Sequence, residues 1–236
     1  MSATEFEDRV AIVTGASSGI GRTTAELIAS RGGKVAAFAR STRALEELAS
    51  RSEGRIIAIP GDLTSDQSIE DLIRRTEAEL GPCDILVNNA GAIAPAVLEE
   101  MALESWDHHF EVNVRAPFRL CRLTAPGMIR RGRGWIVNVS SISGVPGPQK
   151  FPGFTAYAAS KAALISFTEA WAVELRDTGV RVNCVSPGSV DTPMLRAANP
   201  SLQPDMTSEE VAEVIAFLAS DRSRPIHGQN IHVFSS

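Results

Sequence analysis

Thr14-Gly15-Ala16-Ser17-Ser18-Gly19-Ile20-Gly21 is the stretch that decides the fold of this 236-residue chain. An apolar run, Arg9–Thr14, precedes it and predicts a buried strand, and a segment of helical period follows over 19–31. Glycines at a turn from strand to helix let the backbone approach a pyrophosphate, which then meets the unpaired N–H groups of the helix. We therefore expect six residues of this turn to bind a dinucleotide: Gly15, Ser17, Ser18, Gly19, Ile20 and Gly21.

Short apolar runs alternate with helical segments along the rest of the chain, and this order is typical of βα units around a parallel sheet. Further strands are predicted at Lys34–Ala39, Arg55–Ile59, Ile85–Asn88, Gly134–Ser140, Val180–Ser186 and Ile231–Phe234. Further helices are predicted at 43–52, 65–80, 105–131, 155–177 and 208–220, the last with a capping box from Thr207 to Glu210. The pattern predicts an α/β fold, a single-domain Rossmann fold over 1–236 whose doubly wound, seven-stranded parallel sheet carries helices on both faces.

Composition excludes several classes of function. The 23 basic and 28 acidic residues give a net charge of −5, so we expect no nucleic-acid partner. No apolar run approaches the ~18 residues of a membrane span, and the first ten residues are too polar for a signal peptide, so we expect no membrane partner and a cytoplasmic location. Three cysteines without CxxC spacing and four histidines without ligand spacing predict no metal site.

The end of the second predicted strand indicates which dinucleotide is bound. A site for NAD(H) places Asp or Glu there to accept from the ribose 2′-OH, whereas a 2′-phosphate requires a guanidinium. Residues 37–41 contain no carboxylate, and they do contain Arg40. We therefore expect NADP(H) rather than NAD(H), with Ser17 and Ser41 as further donors to the phosphate.

A candidate acid-base pair lies on one predicted helix. Tyr157 is the chain's one tyrosine, and Lys161 is one of three lysines among its 23 basic residues. Positions i and i+4 share a helix face, so the two side chains can act together. A phenol has a pKa near 10 in water, and we expect the Lys161 ammonium and an oxidised nicotinamide to favour the phenolate of Tyr157.

Taken together, the chain resembles the short-chain dehydrogenase/reductase family over nearly its whole length. Motifs in the order and spacing of that family carry the resemblance: the TGxxxGxG turn, Asp62, 88–91, Asn113, Ser141, 157–161, Pro187-Gly188 and Thr192. It implies that Tyr157 is the general acid for a carbonyl oxygen, that Ser141 orients that carbonyl, and that Lys161 binds the nicotinamide ribose. It also implies a set of further cofactor contacts: Asp62, Leu63, Asn89, Ala90, Gly91, Pro187, Gly188, Val190 and Thr192, besides Tyr157 and Lys161 themselves.

The catalytic assignments of Ser141 and Asn113 rest on further features of the sequence. Ser140 and Ser143 flank the candidate serine, and the family's Ser-x-x-Gly pattern favours Ser141. Asn113 lies inside a predicted helix, but Pro117 has no N–H to donate to its carbonyl, which is left free. In the family, the main chain of this asparagine holds a water in a proton relay that runs through the lysine.

Two segments depart from the family and leave the substrate open. The stretch between Ser141 and Tyr157 is longer than is common, and the lid around 191–207 is shorter, which predicts an open pocket between 145–154 and 191–205. The resemblance implies an NADPH-dependent carbonyl reductase that acts on a small-molecule substrate, a ketone or a secondary alcohol, as a homodimer or homotetramer. The alternatives are a 3-oxoacyl-thioester reductase, a sugar or cyclic polyol dehydrogenase and, from another class, a non-catalytic NADP(H)-sensing regulator.

Overall fold

The computed structural model describes residues 4–148 and 150–234, and in these ranges seven strands form one sheet. Gln149, in the predicted pocket mouth, and both ends of the predicted 1–236 domain lie outside the described residues. The strands are β1 Val10–Thr14, β2 Lys34–Ala39, β3 Ile56–Pro60, β4 Ile85–Asn88, β5 Gly134–Val139, β6 Val180–Pro187 and β7 Asn230–Val233. Every neighbouring pair is parallel, in the order β3-β2-β1-β4-β5-β6-β7, which confirms the predicted sheet.

Helices cover both faces of the sheet. They are α1 Gly19–Ser30, α2 Thr42–Ser50, α3 Asp66–Glu79, α4 Leu103–Phe110, α5 Ala116–Arg131, α6 Thr155–Glu174, α7 Pro193–Ala198 and α8 Ser208–Leu218. Alternate residues of a strand point to opposite faces, so Ala11 packs into the core with α1, α2 and α8, and Ile12 into the core with α3, α5 and α6. The doubly wound arrangement is thereby confirmed.

The single helix predicted over 105–131 is wrong, because a π-helical turn at Glu111–Arg115 separates α4 from α5. The N–H of Ala116 donates to the carbonyl of Glu111, five residues earlier. Pro117 has no N–H, so the regular helical ladder cannot run through this point. Asn113 therefore lies in a widened turn rather than in a regular helix.

Side-chain caps fix the ends of two helices near the predicted lid. The reciprocal capping box of Thr207 and Glu210 begins α8, as predicted. The short helix α7 was not predicted, although Thr192 accepts from the N–H of Leu195 at 3.2 Å and Pro193 follows as the first helical residue. In the described ranges, no helix is both long and apolar enough to cross a membrane.

The strand order reverses direction between β1 and β4, and this switch point places the functional cleft. The hydroxyl of Thr14, at the end of β1, accepts from the N–H groups of Asn89 and Ala90, each at 3.1 Å. The side-chain amide of Asn89 in turn donates to the carbonyl of Thr14 at 2.9 Å. These bonds lock the two loops together at the carboxyl edge of the sheet, where ligands of such folds bind.

Candidate active site

A cleft of about 1060 Å³ runs across the carboxyl edge of the sheet. Most of the site residues predicted from the sequence line it: Gly15, Ser17, Ser18, Gly19, Ile20, Arg40, Ser41, Asp62, Leu63, Asn89, Ala90, Gly91, Ser141, Tyr157, Lys161, Pro187, Gly188, Val190 and Thr192. Gly21 and Asn113 are not among the lining residues. The structure therefore brings together residues from the two halves of the chain in one cleft.

The glycine-rich turn forms a cradle that has no room for side chains. A Cβ added to Gly21 would lie 2.3 Å from the side-chain amide of Asn89 and 2.5 Å from the carbonyl of Gly15. Gly15 itself has a φ of +68°, which favours glycine. Ser18 precedes α1 with no side-chain cap, so the first N–H groups of this twelve-residue helix remain available to a phosphate. Gly21 thus contributes by letting the turn pack against Asn89.

One end of the cleft, here called the Arg40 end, is polar. Arg40 is exposed there, just beyond β2, and the Asp62 carboxylate accepts from the N–H and the hydroxyl of Thr64 at 2.9 and 3.0 Å. These bonds lower the pKa of Asp62, with smaller contributions from the positive charges of Arg40 and His108. His108 also lines this end and was not proposed from the sequence, because its position on α4 reaches the cleft only through tertiary packing.

Lys161 lies on the floor of the cleft, and its side chain is held against β5. The ammonium donates to the carbonyl of Val139 at 2.8 Å, and the hydroxyl of Ser140 donates to the carbonyl of Lys161 at 2.8 Å. The side chain is 3% exposed, and burial lowers the pKa of Lys161 to about 8. The ammonium therefore remains the predominant form at neutral pH, close to its titration point.

Tyr157 and Ser141 both line the cleft, and their side chains are near enough for Ser141 to influence the pKa of the phenol. Burial raises the pKa of Tyr157, and Ser141 opposes that rise. The expected lowering by Lys161 is not found, because the ammonium is bonded to Val139 and lies 5.8 Å from the centre of the Tyr157 ring. In this structure Tyr157 is a protonated acid at neutral pH rather than a phenolate.

The choice among the three neighbouring serines agrees with these contacts. The hydroxyl of Ser140 donates to the carbonyl of Lys161, whereas the hydroxyl of Ser141 accepts from the N–H of Ser143 at 3.1 Å and lies near Tyr157. The turn after Ser141 lies tightly on α6, since a Cβ on Gly144 would be 2.6 Å from the N–H of Ala162. This close approach is a physical reason for the glycine of the Ser-x-x-Gly pattern.

Asn113 is fully buried and joins three segments behind the cleft. Its side chain accepts from the N–H of Ala92 at 2.8 Å and donates to the carbonyl of Ala92 at 3.0 Å. It also donates to the hydroxyl of Ser160, on α6, at 2.9 Å. Because the side chain is fully engaged, only the main-chain carbonyl, in the π-helical turn, can serve the predicted relay.

The other end of the cleft, here called the apolar end, lies beyond Tyr157. Residues 93–95 after β4 line it, and so do parts of the lid between Gly188 and Asp205. The loop after β5 contributes five residues: Ile142, Ser143, Pro148, Phe151 and Phe154. The N–H of Ala96 donates to the carbonyl of Gly153 at 3.0 Å and links the segment after β4 to the loop after β5. Phe151 and Phe154 lie here; their three-residue spacing from each other and from Tyr157 is a sequence signal that could have found them.

The predicted lid is tied at its base. Val190 and Met206 form a parallel β-bridge, and the N–H of Asp191 donates to the carbonyl of Met206 at 2.9 Å. The hydroxyl of Ser189 donates to the carboxylate of Asp205 at 2.8 Å. The lid is thus a closed loop that carries α7 on its outer half.

No group of three or more His, Cys, Asp or Glu side chains that could hold a metal ion occurs among the described residues. The three cysteines, Cys83, Cys121 and Cys184, are free and buried. Burial raises the pKa of each thiol to about 12, so none is a thiolate at neutral pH.

Comparison with known proteins agrees with this geometry. The family model described as short chain dehydrogenase matches residues 9–203. The 3-oxoacyl-[acyl-carrier-protein] reductase of Thermotoga maritima is 38% identical over 245 residues, which cover 97% of this chain and 97% of that protein. Nodulation protein G of Rhizobium meliloti is 38% identical over 239 residues, covering 97% and 96%. A solved structure of a short chain dehydrogenase/reductase family protein superposes with a TM-score of 0.89 at 36% identity, covering 97% of each chain.

Proposed function

The chain belongs to the short-chain dehydrogenase/reductase family of oxidoreductases, which act on CH–OH and C=O groups, and from this premise we propose that it is an NADPH-dependent ketone reductase. In reverse it is a secondary-alcohol dehydrogenase. The observation that supports the proposal most is that one cleft brings together Ser141, Tyr157 and the buried ammonium of Lys161. Tyr157 is protonated at neutral pH, as the acid of a reduction must be.

The cleft fits a dinucleotide. The Gly21 cradle admits a backbone close to a pyrophosphate, and the uncapped start of α1 offers N–H donors to it. Asp62, Leu63 and Ala90 would hold the adenosine, and Arg40 with Ser17 and Ser41 would bind a 2′-phosphate. Pro187, Gly188, Val190 and Thr192 would hold the nicotinamide side. Bound NADPH supplies the hydride that reduces the carbonyl carbon.

The chain's own groups complete the reaction. Ser141 donates a hydrogen bond to the substrate carbonyl, and Tyr157 gives its proton to the same oxygen as negative charge develops there. Lys161 would bind the nicotinamide ribose. Its ammonium is bonded to Val139 in this structure, so we expect it to stabilise the phenolate of Tyr157 only when the cofactor is bound. The carbonyl of Asn113 holds a water through which Lys161 and Tyr157 regain their proton.

Tyr157→Phe tests this assignment, with NADPH oxidation measured on a panel of ketones. We expect turnover to fall at least about 100-fold, with NADPH binding retained. Ser141→Ala should lower turnover by about 100- to 1000-fold. The neighbouring Ser143→Ala is the matched control and should keep wild-type turnover. A wild-type protein that binds NADPH but turns over no ketone or alcohol would instead support the NADP(H)-sensing regulator.

A second candidate substrate class is a 3-oxoacyl thioester. Its support is the similarity, at 38% identity over nearly the full length, to a protein named as a 3-oxoacyl-[acyl-carrier-protein] reductase. A 3-oxoacyl thioester of N-acetylcysteamine belongs in the same panel. A kcat/KM for this thioester well above that for every simple ketone would favour this candidate.

We expect a homodimer or homotetramer. Exposed apolar side chains on α5 and α6 support this proposal: Phe118, Leu123 and Val173 are 46%, 45% and 57% exposed. Such side chains on neighbouring helices suit a face shared with a second copy. Light scattering coupled to size-exclusion chromatography measures the mass directly. The cytoplasmic location stays a prediction.

A further inference from the structure

The apolar end of the cleft carries information on the substrate. Phe151, Phe154 and Tyr157 are spaced three residues apart and form a continuous row of rings. The ring centres of Phe151 and Phe154 are 5.7 Å apart, and those of Phe154 and Tyr157 are 6.0 Å apart with the planes at 82°. Such separations and angles are those of favourable aromatic pairs. The row therefore extends outward from the catalytic hydroxyl as one aromatic wall.

This wall is held in place by its surroundings. Phe154 is 8% exposed, and its N–H donates to the carbonyl of Phe151 at 3.2 Å in a tight turn. The carbonyl of Gly153 accepts from the N–H of Ala96 across the cleft edge. Phe151 remains partly exposed on the cleft lining, so its ring is anchored on one side and open to a ligand on the other.

Other residues that line the same cleft are aliphatic. Met194 and Leu195, on α7, line it, and Ile142 lines it from the turn after Ser141. Met194 is 43% exposed, so this surface too can be covered by a ligand. An apolar group bound among these aromatic and aliphatic side chains would be stabilised, because it would bury apolar area.

The charges near the apolar end are already engaged. The ammonium of Lys150 donates to the carbonyls of Ser143 and Val145 at 2.7 and 2.5 Å, and Arg196 forms a two-pronged pair with Asp191 at 2.8 and 2.7 Å. Neither residue is on the cleft lining. Lys161 is the one basic residue on the described lining at this end, and it is bonded to Val139 on the floor, whereas the Asp205 carboxylate lines the lid. An anionic substrate would therefore meet a carboxylate and no free cation.

We propose that the substrate is an uncharged ketone, or the matching secondary alcohol, whose larger substituent is an aromatic ring that rests on Phe151 and Phe154. The inference depends on the proposed reductase function and names its substrate class. In the reaction the ketone gains two electrons and two hydrogens, one of them the proton of Tyr157, and one NADPH is oxidised to NADP⁺. The aromatic wall selects the ring, and the absence of a free cation on the described lining of the apolar end disfavours a carboxylate or phosphate there.

Two matched substrate pairs test the proposal with the full-length protein. Acetophenone and cyclohexyl methyl ketone differ in the aromaticity of one ring, and ethyl benzoylformate and benzoylformate differ in one negative charge. We expect kcat/KM for the ester to exceed that for the acid at least tenfold. We expect Phe151→Leu to raise the KM for acetophenone about three- to tenfold and to leave that for cyclohexyl methyl ketone within twofold. Phe217→Leu, on α8 and outside the cleft, is the matched control and should change neither KM.

The outcomes separate the substrate class from the reductase function. Turnover of benzoylformate equal to that of its ester, an equal effect of Phe151→Leu on both ketones, or a higher kcat/KM for a linear 3-oxoacyl thioester would overturn the aromatic-ketone class and leave the reductase standing. No NADPH oxidation with any compound, by a protein that still binds NADPH, would reject both.

Discussion

Asn113 and Ala92 are joined by two reciprocal hydrogen bonds, in which the side-chain amide pairs with both main-chain groups of one residue. The pairing resembles one rung of a sheet, made by a side chain instead of a strand. It joins the π-helical turn to the loop after β4, next to Gly91. A Cβ added to Gly91 would lie 3.4 Å from both the side-chain oxygen of Asn113 and the ammonium nitrogen of Lys161. The turn that frees the Asn113 carbonyl is therefore positioned by the side chain of the same residue.

Asn113→Leu should lower the free energy of unfolding by about 2–4 kcal/mol, because both main-chain groups of Ala92 and the hydroxyl of Ser160 lose a partner. Ketone turnover should fall as well, since the turn loses its anchor. Urea unfolding measures the first effect and steady-state kinetics the second. Asn199→Leu, near the end of the lid, is the control, and a similar loss of stability there would contradict the interpretation.

The low pKa of Lys161 predicts a stability that rises with pH. An unfolded lysine has a pKa near 10.4, and the folded value is about 8. Below pH 8 Lys161 is protonated in both the folded and the unfolded chain, so the full cost of burying its charge lowers the free energy of unfolding. Between pH 8 and 10.4 the unfolded chain keeps a proton that the folded chain has lost, so stability increases.

Comparison with Lys161→Met isolates this effect from other titrating groups. From pH 7 to pH 9.5 the wild type should gain about 2 kcal/mol of unfolding free energy relative to the variant. Urea titrations of both proteins at the two pH values provide the measurement. If the free energies of unfolding of the two proteins differ by the same amount at both pH values, the pKa of Lys161 is not lowered in the folded protein.

Arg40→Asp should reverse the choice of dinucleotide. Loss of a charge-assisted bond to the 2′-phosphate, together with a new repulsion, should lower kcat/KM for NADPH about 10- to 100-fold, while NADH gains. Arg43→Asp is the matched control, because Arg43 is 90% exposed, pairs with Glu47 and does not line the cleft. Equal or better use of NADH by the wild type would refute the role of Arg40.

Lys150 should act on substrate binding through the loop that it holds. Its ammonium caps the carbonyls of Ser143 and Val145, directly after the turn that begins at Ser141. We expect Lys150→Met to raise the KM for ketones about threefold or more, because the loop after Ser141 loses its charge-assisted hydrogen bonds. The KM for NADPH should not change. Lys34→Met, at the exposed start of β2, should change neither KM, and a shift there equal to that of Lys150→Met would argue against a local effect.

The fold could be predicted well because its signals are local. Each predicted strand lies within one residue of an observed strand, and the glycine turn, Thr207 and Glu210 are read from neighbouring residues. The helix over 105–131 was wrong because periodicity does not register the single-residue shift of a π-helical turn. The missing N–H of Pro117 was used to predict a free carbonyl at Asn113. The same missing N–H also interrupts the helix, which was not predicted.

The site was harder to predict where long side chains bind residues that are distant in the sequence. The spacing of Tyr157 and Lys161 places them on one face of α6, but it cannot tell that the ammonium reaches Val139, 22 residues earlier. His108 likewise meets the cleft only after α4 has packed. Contacts of this kind depend on the tertiary structure and leave no periodic signal in the sequence.

The pairing of β1 with β4 also has a consequence for how the protein matures. Ala11 pairs with Ile85, so closing the sheet at this point joins segments that lie far apart along the chain. Such long-range pairing forms slowly, because the loop entropy is lost before the contacts are gained. The glycine turn and Arg40 belong to the first half of the chain, whereas Tyr157 and the lid emerge later from the ribosome. The first half of the chain therefore supplies the glycine turn and Arg40, and the cleft is complete only when α6 and the lid have packed against them.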